Sequence, residues 1–406
     1  MGRFIVHGGK KLCGEVRISG SKNAALPIIF SAISLRGISK IENLPEISDV
    51  FVAFDILRDL GAKIDYHDGT AVIDTAILTY KTPRADLLSR IRASSYLIGA
   101  CLARFGKFDL LPFGGCNFGD RPIDMHLYAA QRLGAVVNFG TVAADSLSGA
   151  DISFDKISVG ATVNSIIMAS SAKGKSRICG YAKEPHIFAL IEFLRSAGAK
   201  IKVFDEYIEI IGGELGSAHA YLIPDMIEAG TYLSLSLLTD SKIRVFGAKF
   251  DHLSAFLFPL QRSGVEIKMT GESIFISGVI DTPINIQTAP YPGYPTDLQP
   301  LFAPLIAAFQ GGNITETVWQ GRFGYLRELS KFGIEYKLYE SCAQIFPSKI
   351  HSASASATDL RGGAALLLAA LYANGDSVIE NAELVLRGYD KIVFKLRALG
   401  ADITME

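Results

Sequence analysis

The sequence predicts an α/β protein. It reads as two inside-out, barrel-like α/β domains, each made of three repeated units of helix-strand-helix-strand-strand type. Three observations lead there. A glycine-closed helix end recurs six times at a nearly constant interval. A helix of small and apolar residues opens each interval. And 406 residues are too many for one ordinary core, so the length suits two domains.

The recurring ends are LRDLGAKI from Leu57, QRLGAVV from Gln131, LRSAGAKI from Leu194, LQRSGVEI from Leu260, LSKFGIEY from Leu329 and LRALGADI from Leu396. Each reads as the last turn of an amphipathic helix, a glycine in the left-handed cap, and a β-prone run. Gly61, Gly134, Gly198, Gly264, Gly333 and Gly400 are separated by 73, 64, 66, 69 and 67 residues. One period met six times marks a repeated unit. A six-unit solenoid is the alternative, although solenoid repeats are usually shorter.

The opening helices read SKNAALPIIFSAISL, ASSYLIGACLARFG, GATVNSIIMASSAKG, IEAGTYLSLSLLTD, DLQPLFAPLIAAFQGG and DLRGGAALLLAALYANG. They are apolar nearly all round, which marks buried helices, and their Ala, Ser and Gly content permits close packing. The sheets are therefore expected outside them, the reverse of a TIM barrel. Short strands such as KIRVFG, GNITET and DSVIEN come next. Six units divide as three plus three. Where the first turn of each buried helix faces a cleft, its free N–H groups favour anions.

Composition narrows the function classes. Lys and Arg number 40 against 41 Asp and Glu, so no net field draws in nucleic acid or an anionic membrane. No apolar run is long enough to span a bilayer, and the first residues lack the apolar core of a secretory signal. Cys13, Cys101, Cys116, Cys179 and Cys342 are odd in number and widely spaced, giving neither a disulfide framework nor a zinc pattern. A cytoplasmic enzyme, monomeric or weakly self-associating and without metal or cofactor, is expected.

The residues able to do chemistry lie at the unit entrances. Lys22, with Asn23 beside it, opens the first buried helix and presents a point charge suited to phosphate or carboxylate. Arg90 and Arg92 sit at the second entrance, one able to face a ligand and the other solvent. Arg121 can hold a phosphate or carboxylate with two bonds. Arg361 and Arg387 belong to the last unit. Surface ion pairing is the plain alternative for each. Cys116, in GGCNFGDRP, lies between glycines near Arg121, where its thiolate would be favoured; an inert loop cysteine is the alternative. Asp297 in PTDLQP is a candidate base or an N-cap. Glu184, Asp225 and Glu228 are further carboxylate candidates. Trp319, near Arg322, stacks on a ligand ring or packs in the core.

SGSKNAALP, RIRASSYLIGACLARFG, LPFGGCNFGDRPIDMHL, SVGAT, PTDLQ, NITETVWQGRF, ATDLRGGAAL and LRGYDKI together resemble the UDP-N-acetylglucosamine 1-carboxyvinyltransferases, a group of enolpyruvyl transferases. The likeness spans essentially the whole chain. The cysteine loop sets it apart from the related shikimate-pathway enzymes. The resemblance implies one domain over 21–224 and a second, discontinuous one over 1–20 and 225–406. It implies transfer of the enolpyruvyl group of phosphoenolpyruvate to the 3-hydroxyl of UDP-N-acetylglucosamine, with release of phosphate, opening peptidoglycan precursor synthesis.

It further implies roles. Lys22, Arg121 and Arg387 hold phosphoenolpyruvate, supported by Arg92 and Arg361. Asn23, Asp297 and Trp319 line the sugar, with Asp297 placed to take its hydroxyl proton. Arg121, Pro122, Ile123, Asp124 and Leu127 lie along the UDP with Arg92, Ser158, Val159 and Gly160. Cys116, on a closing loop, gives a proton to the methylene carbon or assists product release, and is the alkylation target of fosfomycin.

Several positions depart from the family pattern. Gln320 and Gly321 stand where Glu and Asn are usual, and Leu384 and Leu386 where His and Asp are usual. Met226 replaces Arg, and Trp319 replaces Phe. Each lost bond weakens binding by about 1–3 kcal/mol if its partner stays buried and unpaired. An enolpyruvyl transferase acting on another UDP-sugar, or a non-catalytic nucleotide-sugar-binding relative, are therefore the alternatives.

Overall fold

The computed structural model describes residues 2–114 and 122–406. Cys116 and Arg121 lie outside the described residues. The chain divides into two compact units, one within residues 20–223, the other combining residues up to 19 with 224–406. Each has its own apolar core, spanning Ala24 to Leu222 in the first and Phe4 to Ile18 with Ile227 to Ile403 in the second.

The six buried helices are all present: Lys22–Ser31, Leu97–Phe105, Val159–Ser171, Met226–Leu238, Gln299–Ala307 and Leu360–Tyr372. In Gln299–Ala307 every residue is buried. Burial on all sides follows from the sequence, since Leu, Ile, Phe and Ala occupy every face. Each fully buried leucine or isoleucine contributes about 1.5–3 kcal/mol. Outer amphipathic helices such as Ser48–Asp59, Pro185–Ser196 and Phe250–Arg262 follow. The six glycines that end them have φ between 86 and 103°. That left-handed cap turns the chain into a β-hairpin after the first five and into the single strand Asp402–Met405 after Gly400.

Among the described residues there are five four-stranded sheets and one of three strands. Each contains the strand after a buried helix and, in all but the last, the hairpin that closes the unit. In the five larger sheets a further short strand, paired in parallel, completes the set; it is an addition to the helix-strand-helix-strand-strand order read from sequence. Three of these strands directly precede the buried helix they flank: Asp151–Ser153, Ile284–Gln287 and Ser354–Ser356. The other two, Cys13–Arg17 and Ala218–Tyr221, precede the points where the chain passes from one unit to the other. The last sheet is closed by the earliest strand. Arg3–Gly8 lies antiparallel between Gly375–Glu380 and Asp402–Met405.

Small residues bring the inner helices together. At Gly99 an added Cβ would lie 2.5 Å from Asn164 Oδ1 and 2.9 Å from its carbonyl oxygen. Glycine is thus required by the neighbouring helix Val159–Ser171, and the Gly99 amide donates to Asn164 Oδ1 at 2.9 Å. No described helix is long and apolar enough to cross a membrane.

Candidate active site

In the unit within 20–223, Lys22 is the first residue of its helix because Ser21 is extended (ψ 121°) and turns the chain into it. Its ammonium is not a bare point charge. It pairs with Asp49 Oδ2 at 2.7 Å, with side chains only 12% and 5% exposed. Asp49 lies in the first turn of the adjoining outer helix. An anion at Lys22 therefore meets a cation already oriented by a buried carboxylate. Asn23 beside it is half-buried.

Arg92 opens the turn Arg92–Tyr96 that leads into Leu97–Phe105 and is half-buried, whereas Arg90 is exposed. The pair thus divides as its two-residue spacing suggests. The field of Arg92 falls on His126, a buried residue in the first turn of Asp124–Arg132. Burial chiefly, and then Arg92, lower the His126 imidazole to about 4, against the opposing pull of Asp124. The ring is neutral at neutral pH. Asn164 Nδ2 lies 2.6 Å from Nδ1 and 3.0 Å from the Ser95 carbonyl. An amide nitrogen donates, so Nδ1 accepts and the proton sits on Nε2.

That Nε2–H is directed at the entrance of the third buried helix. A Cβ on Gly160 would lie 2.8 Å from both Nε2 and Cε1, so only glycine fits there. Ser158 caps the same helix, its Oγ accepting from Ala161 N at 3.3 Å. Val159, Ile123 and Leu127 are half-buried against the core, while Pro122 and Asp124 are exposed. One group therefore unites Arg92, His126 and Ser158–Gly160. His126 was not singled out from sequence, although it sits between two residues that were, Asp124 and Leu127.

In the other unit the sequence pattern offered Asp297 as a base or an N-cap. It is not the cap: Leu298 holds that position. Its Oδ1 accepts from Arg322 Nη2 at 2.8 Å, and its Oδ2 faces Arg361 Nη2 at 3.4 Å. Asp297 keeps 29% of its side chain exposed while both arginines are almost fully buried. Arg361 stands in the first turn of the sixth buried helix, whose N-cap Asp359 accepts from the backbone amides of Arg361 and Gly362, each at 3.0 Å. Its guanidinium lies 5.3 Å from the centre of the Tyr389 ring, a cation–π distance. Arg361 Nε and Nη1 are buried with no hydrogen-bond partner among the described residues. Burial alone would lower the Arg361 guanidinium, but the Asp297 carboxylate and the Tyr389 hydroxyl outweigh it, and its affinity for the proton is raised.

Arg387, half-buried, ends the short helix Glu383–Leu386, two residues before Tyr389. Trp319 is half-buried, and its amide donates to Glu316 Oε1 at 2.9 Å. Of the further carboxylates, Asp225 is a cap: Oδ1 accepts from Ile227 N and Glu228 N. Glu228 is buried and bonded to Lys395 Nζ at 2.6 Å and to Ser19 N at 2.8 Å. Burial pushes its carboxyl up to about 7 despite Lys395. Glu184 precedes the outer helix Pro185–Ser196.

The departures from the family pattern have a structural counterpart. Met226, Leu384 and Leu386 pack partly buried against the apolar core of their unit. Gln320 is exposed, and Gly321 has φ 80° with open space around it. Three of these positions thus serve apolar packing. Among the described residues no group of three or more His, Cys, Asp or Glu could hold a metal ion.

Comparison with known proteins adds the following. A family model for EPSP synthase (3-phosphoshikimate 1-carboxyvinyltransferase) matches residues 6–396. UDP-N-acetylglucosamine 1-carboxyvinyltransferase 2 of Listeria monocytogenes is 42% identical over 99% of this chain and 97% of its own. UDP-N-acetylglucosamine 1-carboxyvinyltransferase of Halothermothrix orenii is 39% identical over 99% of each. The crystal structure of the enolpyruvyl transferase NikO from Streptomyces tendae superposes with a TM-score of 0.89 at 29% identity, covering 100% of this chain and 99% of that one.

Proposed function

The chain belongs to the EPSP synthase family of carboxyvinyltransferases, and from that premise we propose that it transfers the enolpyruvyl group of phosphoenolpyruvate to the 3-hydroxyl of UDP-N-acetylglucosamine, releasing phosphate. The observation that carries this reading is the near full-length likeness, at about two residues in five, to enzymes named for that reaction.

The chemistry asks for fixed cations, a base and an acid. Phosphoenolpyruvate carries a phosphate and a carboxylate, for which Lys22, Arg92, Arg121, Arg361 and Arg387 are the proposed holders. Asp297 takes the proton of the acceptor hydroxyl as its oxygen bonds to the substituted enol carbon. Cys116 gives a proton to the methylene carbon, leaving a tetrahedral intermediate. Loss of a methyl proton and of phosphate restores the vinyl group on the sugar oxygen. No oxidant or reductant enters.

The UDP lies along Arg121, Pro122, Ile123, Asp124 and Leu127 with Ser158, Val159 and Gly160, and the sugar near Asn23 and Trp319. In this reading the domains run over 21–224 and over 1–20 with 225–406. The protein works as a cytoplasmic monomer or weak oligomer. A second reading, a different UDP-sugar acceptor, is favoured by the apolar replacements Met226, Leu384 and Leu386.

Phosphate release measured with phosphoenolpyruvate and UDP-N-acetylglucosamine, separately and together, tests the proposal. Release only with both supports it. Release with phosphoenolpyruvate and another UDP-sugar alone moves the protein to the second reading, and no release with any acceptor rejects catalysis.

A further inference from the structure

Glu316 lies immediately after the strand Gly312–Thr315 and is 1% exposed. A buried carboxylate is costly unless its oxygens are satisfied. Here they are. Oε1 accepts from Thr288 Oγ1 at 2.7 Å, Val318 N at 2.8 Å and Trp319 N at 2.9 Å. Oε2 accepts from Thr296 Oγ1 at 2.8 Å.

Backbone amides and the Arg322 guanidinium can only donate, and the two threonine hydroxyls donate to Glu316, so the direction of each bond is fixed. The Thr296 hydroxyl spends its single hydrogen on Glu316. Its oxygen is thereby left as an acceptor, and Arg322 Nη1 donates to it at 2.9 Å. The same guanidinium donates through Nη2 to Asp297 Oδ1 at 2.8 Å. On the other side, Thr288 gives its hydrogen to Glu316 and accepts from Thr317 N at 2.9 Å. One buried side chain thus ties together the segments that carry Asp297 and Trp319.

We infer that Glu316 is a positioning residue of the transfer reaction: through Thr296 and Arg322 it orients Asp297, and through two backbone amides it sets Trp319. It touches no substrate. The inference rests on the proposed placement of Asp297 as base and Trp319 beside the sugar.

Glu316→Gln is the test variant. Its carbonyl oxygen can keep the three donors of Oε1. Its amide nitrogen faces Thr296 as a donor, which turns the hydroxyl round and loosens Arg322. Misplacement of a reacting group by a fraction of an ångström lowers kcat by about 10–100-fold. The KM for phosphoenolpyruvate is expected to stay within about threefold. Thr296→Val cuts the relay to Arg322 while sparing the amides of Val318 and Trp319. It should lower kcat similarly without moving the emission of Trp319, the only tryptophan in the chain.

The decisive measurement is the pair in an Asp297→Asn background. If Glu316 acts through Asp297, adding Glu316→Gln there causes little further loss. Unchanged kcat in Glu316→Gln, or an equal loss in both backgrounds, overturns the inference while leaving the proposed function intact. Absence of turnover in the unsubstituted protein, with every acceptor tried, overturns both.

Discussion

Replacing His126 with glutamine should remove a defined part of the protein's sensitivity to acid. In the folded chain the imidazole titrates at about 4, against an ordinary value of 6.5, because burial and Arg92 disfavour its charged form. The folded state therefore binds fewer protons than the unfolded one between those values. The stabilising contribution is complete above the unfolded value and is lost as pH falls from 6.5 towards about 4. A shift of this size amounts to about 3 kcal/mol when fully expressed, and about 2 kcal/mol of it is lost between roughly pH 7.5 and pH 5. In a unit of about 200 residues, 2 kcal/mol corresponds to roughly 4–8 °C in Tm.

Calorimetry of native protein and His126→Gln at those two pH values reads the effect. The native transition of the unit within 20–223 should fall by that much more than the variant's. Glutamine can still accept from Asn164 Nδ2, so the variant should fold. Parallel shifts of both proteins would refute the buried neutral imidazole, and with it the assignment of the proton to Nε2.

Three further outcomes are expected. Gly99→Ala should cost about 2–4 kcal/mol in urea unfolding, because the new methyl group meets Asn164 and displaces a buried hydrogen bond. Cys116→Ala should abolish most turnover or product release while nucleotide-sugar binding, measured by calorimetric titration, stays largely unchanged. On the proposed role of Cys116 as proton donor, Cys116→Asp should keep part of the activity and should resist alkylation by an epoxide, as followed by mass spectrometry.

What the sequence revealed was local and periodic. The cap glycines and the apolar inner helices are written in neighbouring residues, so six units and the two-domain α/β fold were legible. The flanking parallel strands were not. Ser354–Ser356 and Asp151–Ser153 are three residues long, too short for an alternation to register. At the site, the residue types at the helix entrances could be read, but their partners could not. Lys22 finds Asp49, and Asp297 finds Arg322 and Arg361, across separations that only the fold closes. The N-cap expectation for Asp297 failed for that reason: two distant guanidinium groups compete successfully with a nearby helix end. Glu316 carried no signal at all, since a glutamate after a strand ordinarily faces water.

The strand Arg3–Gly8, held between Gly375–Glu380 and Asp402–Met405, imposes an order on biogenesis. It is translated well before its two neighbours, which come about 370–400 residues later, a delay of roughly 20–80 s at ordinary synthesis rates. Every strand of the unit within 20–223 lies inside that span, so this unit can finish while the other is still being made. Meanwhile a nascent β-segment waits with both edges open, an invitation to mispairing. The middle of the chain is thus built to mature first, and the strand Arg3–Gly8 is among the last to find its place.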